Sequence, residues 1–203
     1  MRRISLKFFL GFVVGCLSLG LSGCISIPNS PMPRFYALSA LDRTEVIKDS
    51  PKMIIGIGPV KIPEYMDRPQ IVTEDKDKML HFAQFDRWGE SLDLGLARLI
   101  REDLTVMFPG TKLTLYPWNP SIDVKYQVLI EVVQLDNEFD RDMSFVVQWT
   151  VIDLQSSKIV IIKRSEFHQP IVPPNYSGLA KTLSTACASL SNQIAEELSL
   201  LEK

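Results

Sequence analysis

The chain has 203 residues, 46% of them hydrophobic, with three cysteines and a formal net charge of -2. That is one domain's length, with enough apolar content to bury a core without metal or disulfide support. Arg2, Arg3 and Lys7 are the only charged residues before Cys24, so the part after it is more acidic than the whole; this argues against nucleic acid as the main partner, because phosphate binding needs a basic surface.

The N-terminus has the layout of an export signal: a basic start (MRRISLK), an apolar run from Phe8 to Leu21, then small residues. The run is shorter than the roughly 20 residues that span a bilayer, which predicts a removed signal rather than a permanent anchor. Leu21-Ser22-Gly23-Cys24 matches the bacterial lipobox. In that motif Leu21, Ser22 and Gly23 are read by the signal peptidase, and the Cys24 thiol first takes a diacylglyceryl group. Cys16 falls in the removed part and Cys187 is the only other thiol, so no disulfide framework is expected. Acyl chains contribute about 0.8 kcal/mol per buried CH2, and two or more hold a protein stably at a membrane. Ile25 stands where an aspartate commonly retains lipoproteins in the inner membrane of Gram-negative cells. By that likeness the anchor goes to the inner leaflet of the outer membrane, with the domain in the periplasm.

Residues 1–23 are therefore read as a signal peptide, 24–33 as a lipidated cysteine and proline-rich tether, and 34–203 as a single periplasmic domain. At about 3.1 to 3.3 Å per residue, the tether reaches on the order of 30 Å. The segment RFYALSAL alternates as a first strand, and KMIIGIGPVKIP reads as a β-branched strand ended by Pro59 and Pro63, its glycines pointing to a bulge or a close backbone approach. QIVTE and KMLHFAQF form a hairpin around Asp75 to Lys78.

A helix is predicted from Gly89 to Phe108, with Leu92, Leu96, Leu99, Ile100, Asp103 and Met107 near one stripe and Glu90 and Asp93 in the first turn. Pro109-Gly110 stops it. KLTLYP is a short strand, followed by three long period-2 segments, VKYQVLIEVVQLDNEF, MSFVVQWTVIDL and SKIVIIKRSEFHQP, that describe an antiparallel meander. Ser144, Gln148 and Thr150 place one face toward solvent or a partner. The last helix is capped by Asn175 or Ser177 and carries an apolar stripe from Leu179 to Leu201. This order gives an α+β fold, a mainly antiparallel sheet with two principal helices packed on one side.

No motif for chemistry emerges. His81 and His168 both lie on strands, with no nucleophile elbow to serve. Asp75 and Asp77 begin like a calcium loop, but Leu80 replaces its glycine and Asp86 its final glutamate. Asp136, Glu138, Asp140 and Asp142 read as a solvated turn, and Cys187 as a small buried hydrophobe. No catalytic residue, metal or cofactor is expected.

Three segments carry a resemblance. FYAL at 35 to 38, IGIGPVKIPEYMDRPQIV from Ile55 to Val72, and FDRWGESLDLGLARLIREDL from Phe85 to Leu104 resemble the ABC-type transport auxiliary lipoprotein (PqiC-like) family. Pro63 and Pro69 fix the backbone around Tyr65, Asp67 and Arg68. Arg68 and Arg87 are expected to pair with Asp67, Asp86 or Glu90, and Trp88 to pack where the hairpin meets the first helix, with direct partner contact as the other reading of this set. The resemblance implies a component of an intermembrane lipid transport system, docking an MCE-domain protein of an inner-membrane complex, with a ring-shaped homo-oligomer as its form. A regulator of a periplasmic enzyme such as a cell-wall synthase is the alternative.

Overall fold

Strand β2 (Ile54–Lys61) is the hub of the larger sheet. Its β-branched residues suit a strand buried on both sides, and it pairs in parallel with β5 (Lys112–Leu115) on one edge and β6 (Tyr126–Asp136) on the other. From β6 the chain runs as the predicted antiparallel meander through β7 (Asp142–Asp153) and β8 (Lys158–Pro170), giving the order β5-β2-β6-β7-β8. A second, three-stranded sheet has the order β1-β4-β3, from β1 (Arg34–Tyr36), β3 (Gln70–Glu74) and β4 (Leu80–Trp88). The structure is a computed structural model describing residues 31–40, 46–47, 52–139 and 142–201. The predicted export signal, Leu21, Ser22, Gly23, Cys24 and the tether up to residue 30 lie outside these residues, as does Asp140.

The α+β reading holds, with two refinements. The strands divide into two sheets, and three pairs are parallel: β1 with β4, β2 with β5 and β2 with β6. Several elements lie off the predicted bounds: β1 stops at Tyr36, short of the predicted alternation, and β4 begins at Leu80 and runs on to Trp88. Strand β2 continues through Pro59 instead of ending there, because the register shifts between Ile57 and Val60 and Gly58 takes a φ of 98. A bulge of this kind leaves the proline where no ladder N–H is needed, and only glycine adopts that φ without strain. The first helix, α1 (Leu92–Met107), starts three residues later than predicted, after an extended Ser91. Glu90 is thus not in its first turn.

Helix α1 and the last helix, α2 (Tyr176–Leu200), cover one face of the five-stranded sheet. Cross-strand neighbours Ile57, Val128 and Val151, then Val60, Ile130 and Trp149, point into this layer, and all are buried. Leu96, Leu99, Ile100 and Leu104 descend from α1, and Leu179, Leu183, Ala186, Leu190 and Ile194 from α2. Each fully buried aliphatic or aromatic side chain is worth roughly 1.5–3 kcal/mol. Trp149, the largest of the fully buried side chains, also donates from Nε1 to Ser165 Oγ at 3.0 Å, and that hydroxyl reaches Gln193 Oε1 on α2 at 2.5 Å. Sheet and helix are therefore keyed by a satisfied polar contact as well as by packing.

Asn175 caps α2 through its side chain, which accepts from Gly178 N at 2.9 Å. The fit of this first turn is close enough to predict a mutant. A Cβ at Gly178 would lie 1.8 Å from the Pro173 carbonyl oxygen, a backbone atom. Gly178→Ala is expected to lower stability by about 2–3 kcal/mol, read as a shift of the urea midpoint, because the turn or the cap must move to admit the methyl group; an unchanged midpoint would contradict the packing.

Candidate functional site

The three motif segments converge on the small sheet. Phe35 of β1 and Gln70 of β3 both pair with Arg87 of β4, and Tyr36 pairs with Trp88. Trp88 N donates to Pro69 O at 2.8 Å and Gly89 N to Tyr36 O at 2.7 Å. Segments distant in sequence thus become one hydrogen-bonded unit, with Trp88, only 7% exposed, packed in the core cluster with Leu92 of α1.

Asp86 is the electrostatic centre of this unit. It is buried, and its carboxylate accepts from Arg34 Nε and Nη2, both at 2.8 Å, and from Tyr36 Oη at 2.7 Å. The Arg34 hydrogen bonds, helped by Tyr36, hold its pKa below the ordinary carboxylate value although burial acts the other way. Burial and the Asp86 carboxylate push the Tyr36 hydroxyl up. Two ring contacts extend the cluster toward α2: Tyr36 with Tyr176 at 6.3 Å, and Tyr176 with Phe139 at 5.1 Å.

The expected arginine pairs are not formed. Asp86 is taken by Arg34 and Tyr36, and Glu90 by Arg98, which donates from Nη2 at 2.6 Å and also reaches Leu38 O. Arg68 is exposed and lies with its guanidinium 4.4 Å from the centroid of the Phe82 ring. Arg87 is half-buried, and its Nε is buried without a hydrogen-bond partner. Among the described residues neither arginine has a carboxylate within ion-pair distance. The remaining motif residues sit on the turn before β3: Tyr65 is half-buried against the core in a 3-10 turn (Glu64–Met66), its hydroxyl pushed up by burial, and Asp67 ends that turn in solvent.

Other candidates have structural occupations. His81 Nε2 lies 2.8 Å from Asp75 Oδ2 at the hairpin tip, and that contact, with backbone N–H donation from Met79 and Asp77, lowers the Asp75 pKa. His168 is exposed on β8 opposite Ser144. Lys78 bridges Glu74 at 2.5 Å and Asp136 at 3.1 Å, so the acidic turn is tied to the hairpin. Among the described residues no group of three or more His, Cys, Asp or Glu side chains is placed to hold a metal ion. Cys187 is fully buried and its thiol is pushed up by that burial.

Sequence reasoning missed two buried polar groups. Asp86 lay inside a quoted motif, but only the fold reveals Arg34 as its partner. Asp103 was visible as an acid on an apolar stripe; it is 1% exposed, accepts from Ser191 Oγ of α2 at 3.0 Å through Oδ2, and leaves Oδ1 buried without a partner. Burial, with a smaller contribution from Glu102 and against the Ser191 hydrogen bond, pushes its pKa up to about 6. Among the described residues no helix is long and apolar enough to cross a membrane.

Comparison with known proteins agrees with this arrangement. A family described as the ABC-type transport auxiliary lipoprotein component matches residues 36–195, from β1 into α2. No curated protein matches the sequence. Among solved structures, a protein described as uncharacterized superposes with a TM-score of 0.68 at 17% identity, over 83% of this chain and 99% of that one. Protein XCC0632 from Xanthomonas campestris superposes with a TM-score of 0.65 at 10% identity, over 80% of this chain and 92% of that one. At these identities the likeness is one of fold. The family match runs from the last residue of β1 through both sheets and α1 into α2, and the chain belongs to the ABC-type transport auxiliary lipoprotein component family.

Proposed function

We propose that this protein is an outer-membrane-anchored periplasmic lipoprotein that docks an MCE-domain protein, as the outer subunit of an intermembrane lipid transport system. The observation that carries the reading is the family match over 36–195, whose motif segments meet in one small sheet at the root of the tether. The lipobox ending at Cys24 supports the anchor, and Ile25 supports the outer membrane. The domain works without chemistry of its own: it holds a position and offers surfaces. A homo-oligomer, closed as a ring, is part of the proposal, supported by the exposed Ile159, Val160 and Ile162 on the edge strand β8, an edge of the kind that pairs or packs with another chain.

The test is crosslinking in cells. A photoreactive residue placed at Leu94 on α1 and, separately, at Val133 on β6, both exposed, is expected to recover an MCE-domain protein of the inner membrane, and Cys24→Ser to release the protein from the membrane fraction. Recovery of a cell-wall synthase instead, or of no MCE-domain protein when that protein is expressed, would overturn the docking role.

A further inference from the structure

Most arginines in this structure that lie near a carboxylate are used. Arg34, Arg98 and Arg164 each donate to one at 2.9 Å or less. Arg68 and Arg87, both from the motif segments, have none. They sit on one region of the small sheet. Phe35, Arg87 and Gln70 stand side by side across β1, β4 and β3, and paired positions share a face. A register shift between Gln70 and Val72 adds residues on β4, so that along β3 Gln70, Val72 and Glu74 keep one face; beyond it the buried Val72 opposes Phe82 and Glu74 opposes Leu80, with Arg68, in the bend before β3, over the Phe82 ring. Phe35 is 63% exposed, Phe82 47% and Leu80 36%. Glu74, the acid on this face, is neutralised by Lys78.

The arrangement is unusual for a solvent-facing sheet. Three large apolar side chains remain in water beside two guanidinium groups lacking counter-charges, in a chain that is acidic overall after Cys24. Arg68 is exposed and Arg87 half-buried, and with no carboxylate held by either, an anion arriving at this face meets no competitor for them. The covalent path indicates where such an anion comes from. The chain enters this sheet at Arg34, only ten positions after Cys24, the proposed site of lipidation.

We propose that the outer face of the β1-β4-β3 sheet rests on the membrane, with Arg68 and Arg87 binding the phosphate groups of anionic phospholipids and Phe35, Phe82 and Leu80 entering the interfacial layer. The inference rests on the anchored reading above and adds a second, composition-sensitive contact to it. Amphipathic side chains with basic groups hold surfaces in this way, and each basic group contributes about a fivefold preference for an anionic surface. With the sheet docked, the five-stranded sheet and both helices stay available for protein partners.

The experiment uses the mature lipidated protein in vesicles of phosphatidylethanolamine alone, or mixed with phosphatidylglycerol, at high lipid excess. Flotation with both kinds of vesicle reports the anchor. Amide hydrogen exchange across β3 and β4 reports the sheet, and is expected to be about twenty-five-fold slower with phosphatidylglycerol, the product of two basic contacts. The double variant Arg68→Gln/Arg87→Gln should lose that protection and still float, with exchange in α2 unchanged. Should the variant disturb folding, seen as faster exchange in α2, salt gives the second readout: about 1 M NaCl must remove the protection from the wild-type protein. Equal exchange in both vesicles, or protection that survives the double substitution or the salt, would overturn the inference and leave the anchored reading intact. Loss of flotation from both would overturn the anchored reading and the inference with it.

Discussion

Asp86→Ala is expected to destabilise the protein by about 3 kcal/mol and to free β1 from β4. The estimate comes from the hydrogen bonds removed. The Tyr36 hydroxyl bond to a buried carboxylate falls in the range of about 1.5–3 kcal/mol for bonds to charged groups. The Arg34 pair adds less than the Tyr36 bond does, because that guanidinium is 67% exposed and water screens it. Tyr36→Phe should cost about half as much, since Asp86 keeps Arg34. Sign follows from the lowered pKa: the contribution of Asp86 is present at neutral pH and disappears as the pH falls through its folded pKa, below the ordinary 3.8. Urea unfolding at pH 7, with hydrogen exchange of residues 34–38, checks both parts. An unchanged midpoint, or protected β1 amides in the variant, would show that strand pairing alone holds β1. The same variant should leave the proposed anchoring through Cys24 untouched, which separates the sheet's integrity from localisation.

What the sequence made legible follows from which interactions are local. The meander of β6, β7 and β8 was readable because Tyr126 to Val132 and Met143 to Val151 alternate strictly, and short turns leave antiparallel pairing as the only option. Helix α2 was readable to its cap, since Asn175 precedes the stripe and its oxygen accepts from Gly178 N. Parallel pairing was not readable. Alternation in Ile54 to Lys61 predicts a strand but says nothing of its direction, and β2 meets β5 and β6 only after the chain has passed through the hairpin and α1. The site divides in the same way. Trp88 was placed correctly because an aromatic between a hairpin and a helix has an obvious core to fill. The arginine partners were misassigned because proximity in sequence favoured Asp67, Asp86 and Glu90. In the fold Arg34, more than fifty positions away, occupies Asp86, and Arg98, from the next turns of α1, occupies Glu90. Long-range pairing of charges depends on strand order, which a single sequence does not print.

Asp103→Asn is expected to make the protein more stable at neutral pH and to flatten its stability between about pH 4 and pH 6. The carboxyl lies between α1 and α2 in contact with Ser191, with Glu102 beside it on α1 and the buried Cys187 thiol near it on α2. Its folded pKa is about 6, against 3.8 when exposed, so the native state holds the proton more tightly than the unfolded chain. The stability linked to that proton is complete below pH 3.8 and is lost as the pH rises through about 6. At 1.36 kcal/mol per unit, the loss is on the order of 3 kcal/mol, an upper value because surrounding groups relax around a buried charge. Asparagine carries no charge at any of these pH values. Its amide leaves one donor to satisfy where Oδ1 now has no partner, so the net gain at pH 7 should be smaller, about 1–2 kcal/mol. Asp86, Asp75 and Asp153 have lowered pKa values and act below the ordinary carboxylate range, so their windows do not overlap that of Asp103. Urea midpoints of wild type and variant from pH 4 to pH 7 therefore isolate one group. The two curves should meet near pH 4 and separate above pH 5, the variant lying higher. Parallel curves would place the carboxyl in contact with solvent, and a variant less stable than wild type at pH 7 would mean that the ionised Asp103 with Ser191 holds the two helices together.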